Sequence, residues 1–197
     1  SLAISGNRAS RIFSIASGVT VAISGLSLLN GYDASFGGAI SNAGNLTIAN
    51  STLANNAAGT TNSGSVGGAV SNGGALTITN STLSGNLATY GGCIDNGKNP
   101  PALLTITNSI LSNNSAYTGG CIYNSSALTV TITNNTLANN SATENGGGIY
   151  NAESAGTLDV RNSTLSRNTA RGSGGGIYNR STLVVSNSTL SGNAAMT

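Results

Sequence analysis

Five carboxylate side chains are the residues of this sequence best suited to acid–base chemistry, and they are spread along the chain. They are Asp33, Asp95, Glu144, Glu153 and Asp159. Metal binding or glycosidic cleavage would need several of them close together. Glu144 and Glu153 flank opposite ends of one predicted strand, roughly 20 Å apart, and the sequence has no histidine. We therefore predict a protein that is not an enzyme and that uses no metal or other cofactor.

Two cysteines occupy the same position of a recurring Gly-Gly-x-Ile-x-Asn motif. Cys93 lies in GGCIDN and Cys121 in GGCIYN. If the motif recurs on adjacent strands, the two Cα atoms are ~4.8 Å apart, which is within the range that a disulfide needs. Two interpretations stay open: a disulfide, which an extracellular location would favour, and a pair of free thiols that stack like Ala39 and Ala69.

Two rows of outward-facing side chains are candidate ligand surfaces. One row is a Thr-x-Thr array on three successive repeats, made by Thr77, Thr79, Thr105, Thr107, Thr131 and Thr133. An array of this kind could face ice, although threonine is also a favourable outward residue of any strand. The other row is Tyr123, Tyr150 and Tyr178. Their rings could contact the apolar faces of sugars, or they could cover neighbouring strands.

The composition argues against several classes of protein. Only 6% of the 197 residues are charged, the net charge is +2, and lysine and arginine form no run, so a nucleic-acid partner has no electrostatic footprint. No apolar run approaches the ~20 residues of a membrane span. The recurring isoleucine, valine, leucine and threonine also argue against a disordered chain.

An internal repeat supplies the elements that must position these side chains. The Gly-Gly-x-Ile-x-Asn motif alternates with an apolar–polar segment that ends in Leu-x-x-Asn, such as LTITNSTLSGN from Leu76. The leucine marker of this segment recurs every 24 to 30 residues, at Ile4, Leu28, Leu53, Leu83, Leu111, Leu137, Leu165 and Leu190. No segment of helical periodicity separates the strands, which excludes a leucine-rich repeat. The repeat predicts an all-β fold: a right-handed, single-stranded parallel β-helix of about seven coils, each with three short strands.

Strand alternation assigns the aliphatic residues to inward ladders. One such ladder is Ile40, Val70, Ile94, Ile122, Ile149 and Ile177. Three rows of corner asparagines are predicted to hydrogen-bond from coil to coil: Asn42, Asn72, Asn96, Asn124, Asn151 and Asn179; Asn50, Asn80, Asn108, Asn134, Asn162 and Asn187; Asn56, Asn86, Asn114, Asn140, Asn168 and Asn193. Repeat length varies mainly between Leu-x-x-Asn and the next Gly-Gly, and a variable edge of this kind is where solenoids usually bind ligands.

The paired motifs resemble a known repeat. Gly-Gly-[Ala/Gly]-Ile followed by Leu-x-x-Asn resembles the repeat of the chlamydial polymorphic membrane proteins, and it is still more similar to that of large secreted repeat proteins of environmental bacteria. The resemblance covers nearly the whole chain and implies a secreted β-helix, with adhesion as the function most often associated with such proteins. This sequence departs from the pattern in carrying leucine in place of phenylalanine in every Leu-x-x-Asn.

These observations predict one β-helix domain over residues 1–197, which we expect to be part of a longer chain or of an end-to-end stack because neither end carries a cap. The predicted function is that of an extracellular structural or adhesive module, such as a stalk, adhesin or filament subunit, secreted or at the cell surface. The alternatives are a carbohydrate-binding or polysaccharide-processing β-helix and an ice-binding protein. Expected partners are further coils, a second copy, or a surface glycan or other host or cell-surface ligand. Neither nucleic acid nor a membrane span is expected.

Overall fold

The computed structural model describes residues 2–59, 64–97 and 101–196, and every regular element in them is a β-strand. The strands, numbered β1 to β29 in chain order, form four parallel sheets, and the chain visits the sheets in the same order in each coil. This arrangement confirms the predicted all-β parallel solenoid of about seven coils. The described part of the chain has no helix that could cross a membrane.

The first two sheets contain the predicted Gly-Gly-x-Ile strands and the Leu-Thr-Ile strands. Sheet 1 consists of β2 (Phe13–Ile15), β6 (Ile40–Asn42), β10 (Val70–Asn72), β14 (Ile94–Asn96), β18 (Ile122–Asn124), β22 (Ile149–Asn151) and β26 (Ile177–Asn179). Sheet 2 consists of β3 (Thr20–Ser24), β7 (Asn45–Ala49), β11 (Ala75–Thr79), β15 (Leu103–Thr107), β19 (Val130–Thr133), β23 (Leu158–Arg161) and β27 (Leu183–Ser186).

The third predicted strand is present, and it is followed by a short fourth strand. Sheet 3 consists of β1 (Leu2–Ser5), β4 (Leu26–Leu29), β8 (Thr52–Ala54), β12 (Thr82–Ser84), β16 (Ile110–Ser112), β20 (Thr136–Ala138), β24 (Thr164–Ser166) and β28 (Thr189–Ser191). Sheet 4 consists of β5 (Tyr32–Asp33), β9 (Ala57–Ala58), β13 (Leu87–Tyr90), β17 (Ser115–Thr118), β21 (Ser141–Ala142), β25 (Thr169–Ala170) and β29 (Ala194–Ala195). The predicted count of three strands in each coil is therefore corrected to four.

Sheet 4 was missed because its strands are too short for a pattern of alternation to be counted. The sequence does carry a signal for it, an alanine two residues after the last asparagine of each repeat. These alanines form an additional inward ladder, and five of them are buried: Ala58, Ala88, Ala116, Ala142 and Ala170. A methyl group suffices at this position because the Gly-Gly segment that leads into sheet 1 lies close to these strands: a Cβ atom on Gly92 would collide with the carbonyl oxygen of Ser115.

The interior is a continuous aliphatic column, as predicted. The marker leucines from Leu28 to Leu165 are fully buried, and each is aligned with the equivalent leucine of the next coil. Isoleucine and valine from sheets 1 and 2 complete the column. Because a buried leucine, isoleucine or valine side chain contributes roughly 1.5–3 kcal/mol, this repeated burial is the main source of stability for the coils.

Two of the three predicted asparagine ladders are confirmed. In the first, Asn72 donates from Nδ2 to Oδ1 of Asn96 at 2.8 Å, and the same bond links each pair of neighbours from Asn42 to Asn179. In the other, Asn86 donates to Oδ1 of Asn114 at 2.9 Å, and the row runs unbroken from Asn56 to Asn193. Each buried amide is therefore satisfied by the equivalent amide of the next coil.

The remaining row, Asn50 to Asn187, was wrongly predicted to be an amide ladder. These residues are exposed and have φ angles between 48° and 58°. Asparagine recurs there because it tolerates the left-handed conformation that the corner requires. The ladder at this corner is made by the following residue: Ser51 donates its N–H to Oγ of Ser81 at 3.1 Å, and the N–H of Ser81 is bonded in the same way to Ser109.

A second left-handed corner contains a residue that is poorly suited to it. Arg167 has φ 54° and aligns with asparagine or glycine in the other coils. For an L-residue with a Cβ atom this conformation costs roughly 1–2 kcal/mol. We expect Arg167→Asn to raise the free energy of unfolding by about 1 kcal/mol and the Tm by about 2–4 °C. Arg171→Asn, at an exposed position outside the left-handed region, is the matched control for loss of charge. An equal gain in both variants would contradict the backbone explanation.

Candidate functional site

The five carboxylates are held separately. Three of them form ion pairs with arginines: Asp33 with Arg11 at 2.7 Å, Asp159 with Arg161 at 2.8 Å, and Glu153 with Arg180 at 2.9 Å. Glu144 accepts a hydrogen bond from Thr118 at 3.0 Å. The described residues contain no group of three or more potential metal ligands of the histidine, cysteine and acidic types. Glu144 and Glu153, which the sequence places at opposite ends of one strand, have different partners, Thr118 and Arg180.

Electrostatics distinguish two of these carboxylates. Burial raises the pKa of Asp33, but the N–H groups of Phe36 and Ser35 and the Arg11 guanidinium outweigh it, so the pKa lies below the usual value. Asp95 is the opposite case. It is only 7% exposed, and burial raises its pKa to about 7. Asp95 is therefore the acidic group whose charge changes near neutral pH.

The raised pKa of Asp95 predicts a pH-dependent stability. Between pH ~4 and ~7 the folded chain keeps a proton that the unfolded chain releases, so the free energy of unfolding falls as pH rises through this window and levels off above it. The fall is on the order of 4 kcal/mol at most. We expect Asp95→Asn to abolish it and to be more stable than the wild type at pH 8. Urea unfolding at pH 4.5, 6 and 8 measures the effect. Glu153→Gln, at an exposed site, should keep the wild-type profile, and a wild-type profile in Asp95→Asn would contradict the assignment.

The two cysteines are adjacent, as their motif positions indicated. The N–H of Cys93 donates to the carbonyl oxygen of Cys121 at 2.9 Å, and both side chains are fully buried. Both are free thiols. Burial, followed by the contact with Cys121, raises the pKa of the Cys93 thiol well above its usual value. Of the two interpretations left open by the sequence, the structure therefore contains the stacked thiols.

The tyrosine row is a stack of four rings. Tyr123 and Tyr150 are nearly parallel, with an interplanar angle of 8° and centroids 5.1 Å apart, and Tyr178 continues the stack at 5.3 Å. Tyr90, from a different sheet, packs at a tilt against Tyr123 and was not predicted, because it lies outside the motif that carries the other three. The rings cover one another's faces, so a ligand approaching from solvent would meet mainly their edges and hydroxyl groups.

The threonine array extends further than predicted. The six threonines lie in register on β11, β15 and β19, where each is half-buried. Sheet 3 carries a second row that the sequence prediction missed, made by Thr52, Thr82, Thr136, Thr164 and Thr189, with Ile110 as the one interruption. Adjacent members of each row are ~4.8 Å apart. The two neighbouring sheets therefore present regular rows of hydroxyl and methyl groups.

Two shallow cavities lie along sheet 4. The first, of about 420 Å³, is lined among others by Arg8, Tyr32, Asn55 and Leu87. Further along the same sheet a second cavity, of about 260 Å³, is lined by Ser115, Ser141, Thr169 and Arg171. Apart from residues 60–63, which lie outside the described part, this is the variable edge that sequence reasoning identified as a binding surface. Its individual residues were not predicted, because they belong to the short fourth strands.

Comparison with known proteins identifies the fold. Residues 67–196 match the family model described as a right-handed β-helix region. Searches of curated proteins and of solved structures found no match. The match covers the coils from Gly67 onward, whereas the resemblance to chlamydial and environmental bacterial repeats stays a prediction.

Proposed function

Taking as premise that this chain belongs to the right-handed β-helix family, we propose that it is an extracellular structural and adhesive module without a catalytic site. The observation that carries the proposal is the separate engagement of the carboxylates: four are held by their own arginine or hydroxyl partner, and Asp95 is buried beside Tyr123. Polysaccharide-cleaving chemistry needs acid and base groups that share one substrate. Rigidity, in contrast, is built into every coil by the side-chain ladders.

A paired assay tests this proposal. Purified protein is incubated with a panel of acidic and neutral polysaccharides while chain shortening is followed by size-exclusion chromatography, and its retention on immobilised cell-surface material is measured in parallel. We expect retention without shortening. Chain shortening that is lost in Asp95→Asn, the variant of the one carboxylate with a pKa near 7, would overturn the proposal.

Coil-on-coil association at the edge of the last described coil is a further part of this proposal. Three side chains there are 37–49% exposed, whereas their counterparts one coil earlier are fully buried: Leu183, Val185 and Leu190, against Leu158, Val160 and Leu165. A further coil on this edge would bury them, whether it came from the same chain or from a second copy. Electron microscopy across a dilution series separates these sources, since fibres that shorten on dilution require copies and discrete rods do not.

Ice binding is the second candidate, favoured by the threonine rows on sheets 2 and 3. The row on sheet 2 combines methyl and hydroxyl groups at spacings of ~4.8 Å across strands and ~6.6 Å along them, similar to repeats of oxygen atoms in ice. The row on sheet 3 has one threonine in each strand and therefore only the ~4.8 Å spacing. Thermal hysteresis of the wild type, compared with Thr105→Lys on sheet 2 and Thr136→Lys on sheet 3, would show which face acts. Absence of hysteresis in the wild type would remove this candidate.

A further inference from the structure

The row of exposed asparagines at the corner between sheets 2 and 3 coincides with a recurring Asn-x-Thr triplet. Asn-x-Thr, with x other than proline, is the acceptor sequence for N-linked glycosylation, which takes place on surface asparagines. Five members of the row begin such a triplet: Asn50, Asn80, Asn134, Asn162 and Asn187. We call these five residues the corner row. The triplet also occurs elsewhere in the chain, so the folded structure decides which copies can carry a glycan.

The amides of the corner row are available for modification. All five side chains are exposed, and their backbones have left-handed φ angles between 48° and 58°. Within the described residues, these side chains make no hydrogen bond to the rest of the protein. The bond that links the coils at this corner is made by the middle residue of the triplet, as Ser51 does with Ser81. A sugar on the asparagine therefore breaks no contact of the fold.

The third residue of each triplet is also accessible. Thr82, for example, is half-buried on the outer face of sheet 3, next to inward-facing Leu83. The equivalent threonines of the other four triplets lie in register with it along the sheet. Asparagine and hydroxyl thus stand on the outside of the same corner in each of these coils.

Two other triplets of this type lie in the first amide ladder. Asn124 is fully buried and donates from Nδ2 to Oδ1 of Asn151 at 2.8 Å. Asn179 donates from Nδ2 to the carbonyl oxygen of Ser181 at 2.6 Å. A sugar on either Nδ2 would break a bond of the ladder, and on Asn124 it would place a bulky polar group in the interior. The fold therefore excludes a glycan from these two sites.

Three further triplets are exposed but differ from the corner row. Asn45 lies within a strand, at the start of β7, and not at a corner. The triplets of Asn113 and Asn139 end in serine, and their two serines are bonded to each other, since Ser141 donates from Oγ to Oγ of Ser115 at 3.1 Å. An accessible amide and an unbonded threonine hydroxyl at one corner are combined in the corner row.

We propose that the corner row is a site of N-linked glycosylation. Nδ2 of the asparagine attacks the anomeric carbon of an oligosaccharide carried by a lipid pyrophosphate. The C–N bond forms as the C–O bond to the pyrophosphate breaks, the lipid pyrophosphate leaves, and Nδ2 loses one proton. Because adjacent coils are ~4.8 Å apart, the glycans form a hydrophilic ridge between the outer faces of sheets 2 and 3. This modification is separate from the proposed adhesive function and does not depend on it.

Secretion of the protein from a eukaryotic host, which transfers such oligosaccharides, tests the proposal. Peptide N-glycosidase in ¹⁸O-water converts each glycosylated asparagine of the secreted protein into a labelled aspartate, which peptide mass spectrometry locates. We expect label in the corner row and none at Asn124 or Asn179. Thr82→Val removes the hydroxyl but keeps the branched side chain, and it should abolish the label at Asn80 alone.

Asn108 provides a matched control within the wild-type chain. It is exposed at the same corner, with φ 50°, but Ile110 stands where the other coils have threonine. Wild-type Asn108 should therefore carry no label. Ile110→Thr completes the triplet and should bring label to Asn108. The variant should keep the fold, because Thr82 and Thr136 occupy the same position in the adjacent coils.

Three results would overturn the inference: an unlabelled corner row in the secreted wild type, equal labelling of the corner row and of Asn124 and Asn179, or an unlabelled Asn108 in Ile110→Thr. Retention on immobilised cell-surface material is measured on the unglycosylated protein. The adhesive proposal can therefore fail while the glycosylation site stands, and the reverse also holds.

Discussion

Replacing Asn114 with aspartate is expected to cost about 4 kcal/mol or more, a large part of the 5–15 kcal/mol that stabilises an ordinary domain. Nδ2 of Asn114 donates to Oδ1 of Asn140 at 3.0 Å and to the carbonyl oxygen of Leu83 at 3.1 Å, while its Oδ1 accepts from N and Nδ2 of Asn86. Aspartate keeps the acceptors but loses both donors, so the Leu83 carbonyl oxygen loses this bond, and Oδ1 of Asn140, left with only the backbone N–H of residue 114, faces a carboxylate oxygen; each lost buried bond costs roughly 1–3 kcal/mol. It also places a charge in the interior.

The neighbouring residue provides the control. Asn113 is exposed and lies in the left-handed corner outside the ladder, so Asn113→Asp should change the free energy of unfolding by less than about 1 kcal/mol. Lowering the pH should partly restore Asn114→Asp, because a protonated carboxyl regains one donor. Guanidinium unfolding at pH 4 and pH 8 checks both points. Equal stability of the two variants would mean that the ladder contributes little.

Replacing Gly120 with alanine is expected to be nearly as damaging, by about 3 kcal/mol. A Cβ atom at this position would stand 2.2 Å from the carbonyl oxygen of Gly147 and 2.4 Å from that of Ser141. Both are backbone atoms of the next coil, so no side-chain rotation can relieve the contact, and the coils must separate locally. Glycine is required here by close approach and not by a left-handed φ.

The control for Gly120 is Gly73, where the nearest atom to a new Cβ is the Asn42 carbonyl oxygen at an ordinary 3.6 Å. We expect Gly73→Ala to be neutral or to stabilise the protein by up to about 1 kcal/mol, because alanine restricts the unfolded chain. Thermal and guanidinium unfolding of the two variants provide the comparison. A similar loss in both would show that close packing of the coils is not the cause.

The sequence predicts this fold well because the same pattern of apolar, glycine and asparagine residues recurs from repeat to repeat. The alternation at Leu76 and Ile78 recurs in each coil, and the observed register aligns these residues with Leu104 and Ile106, as the motif positions require. Adjacency of Cys93 and Cys121 follows from the same register. What recurs in many coils is thus determined even though no single strand exceeds five residues.

The prediction is weaker where one residue type satisfies two different requirements. Asparagine is suited both to an amide ladder and to a left-handed corner, so the motif alone could not separate buried Asn56 from exposed Asn50. The sequence located the two cavities on sheet 4 only to a variable edge. Their side chains come from strands of two to four residues, and the outward residue changes from coil to coil, for example from Tyr32 to Ser141. Tyr90 joins the ring stack from sheet 4, where the aligned residue of the next coil is Thr118, so the repeat gives no signal for an aromatic residue there.

The strict coil-to-coil register determines where the molecule unfolds first. Each strand is paired only with its equivalents in the preceding and following coils, so the molecule approximates a one-dimensional array whose energy is a sum of nearest-neighbour terms. A destabilising substitution such as Asn114→Asp should therefore cause local unfolding of its own coil, while the coils on either side stay folded. Hydrogen exchange would then be fastest around β16 and would slow coil by coil in both directions, and a protease would cut the rod in the middle before it frayed at either end.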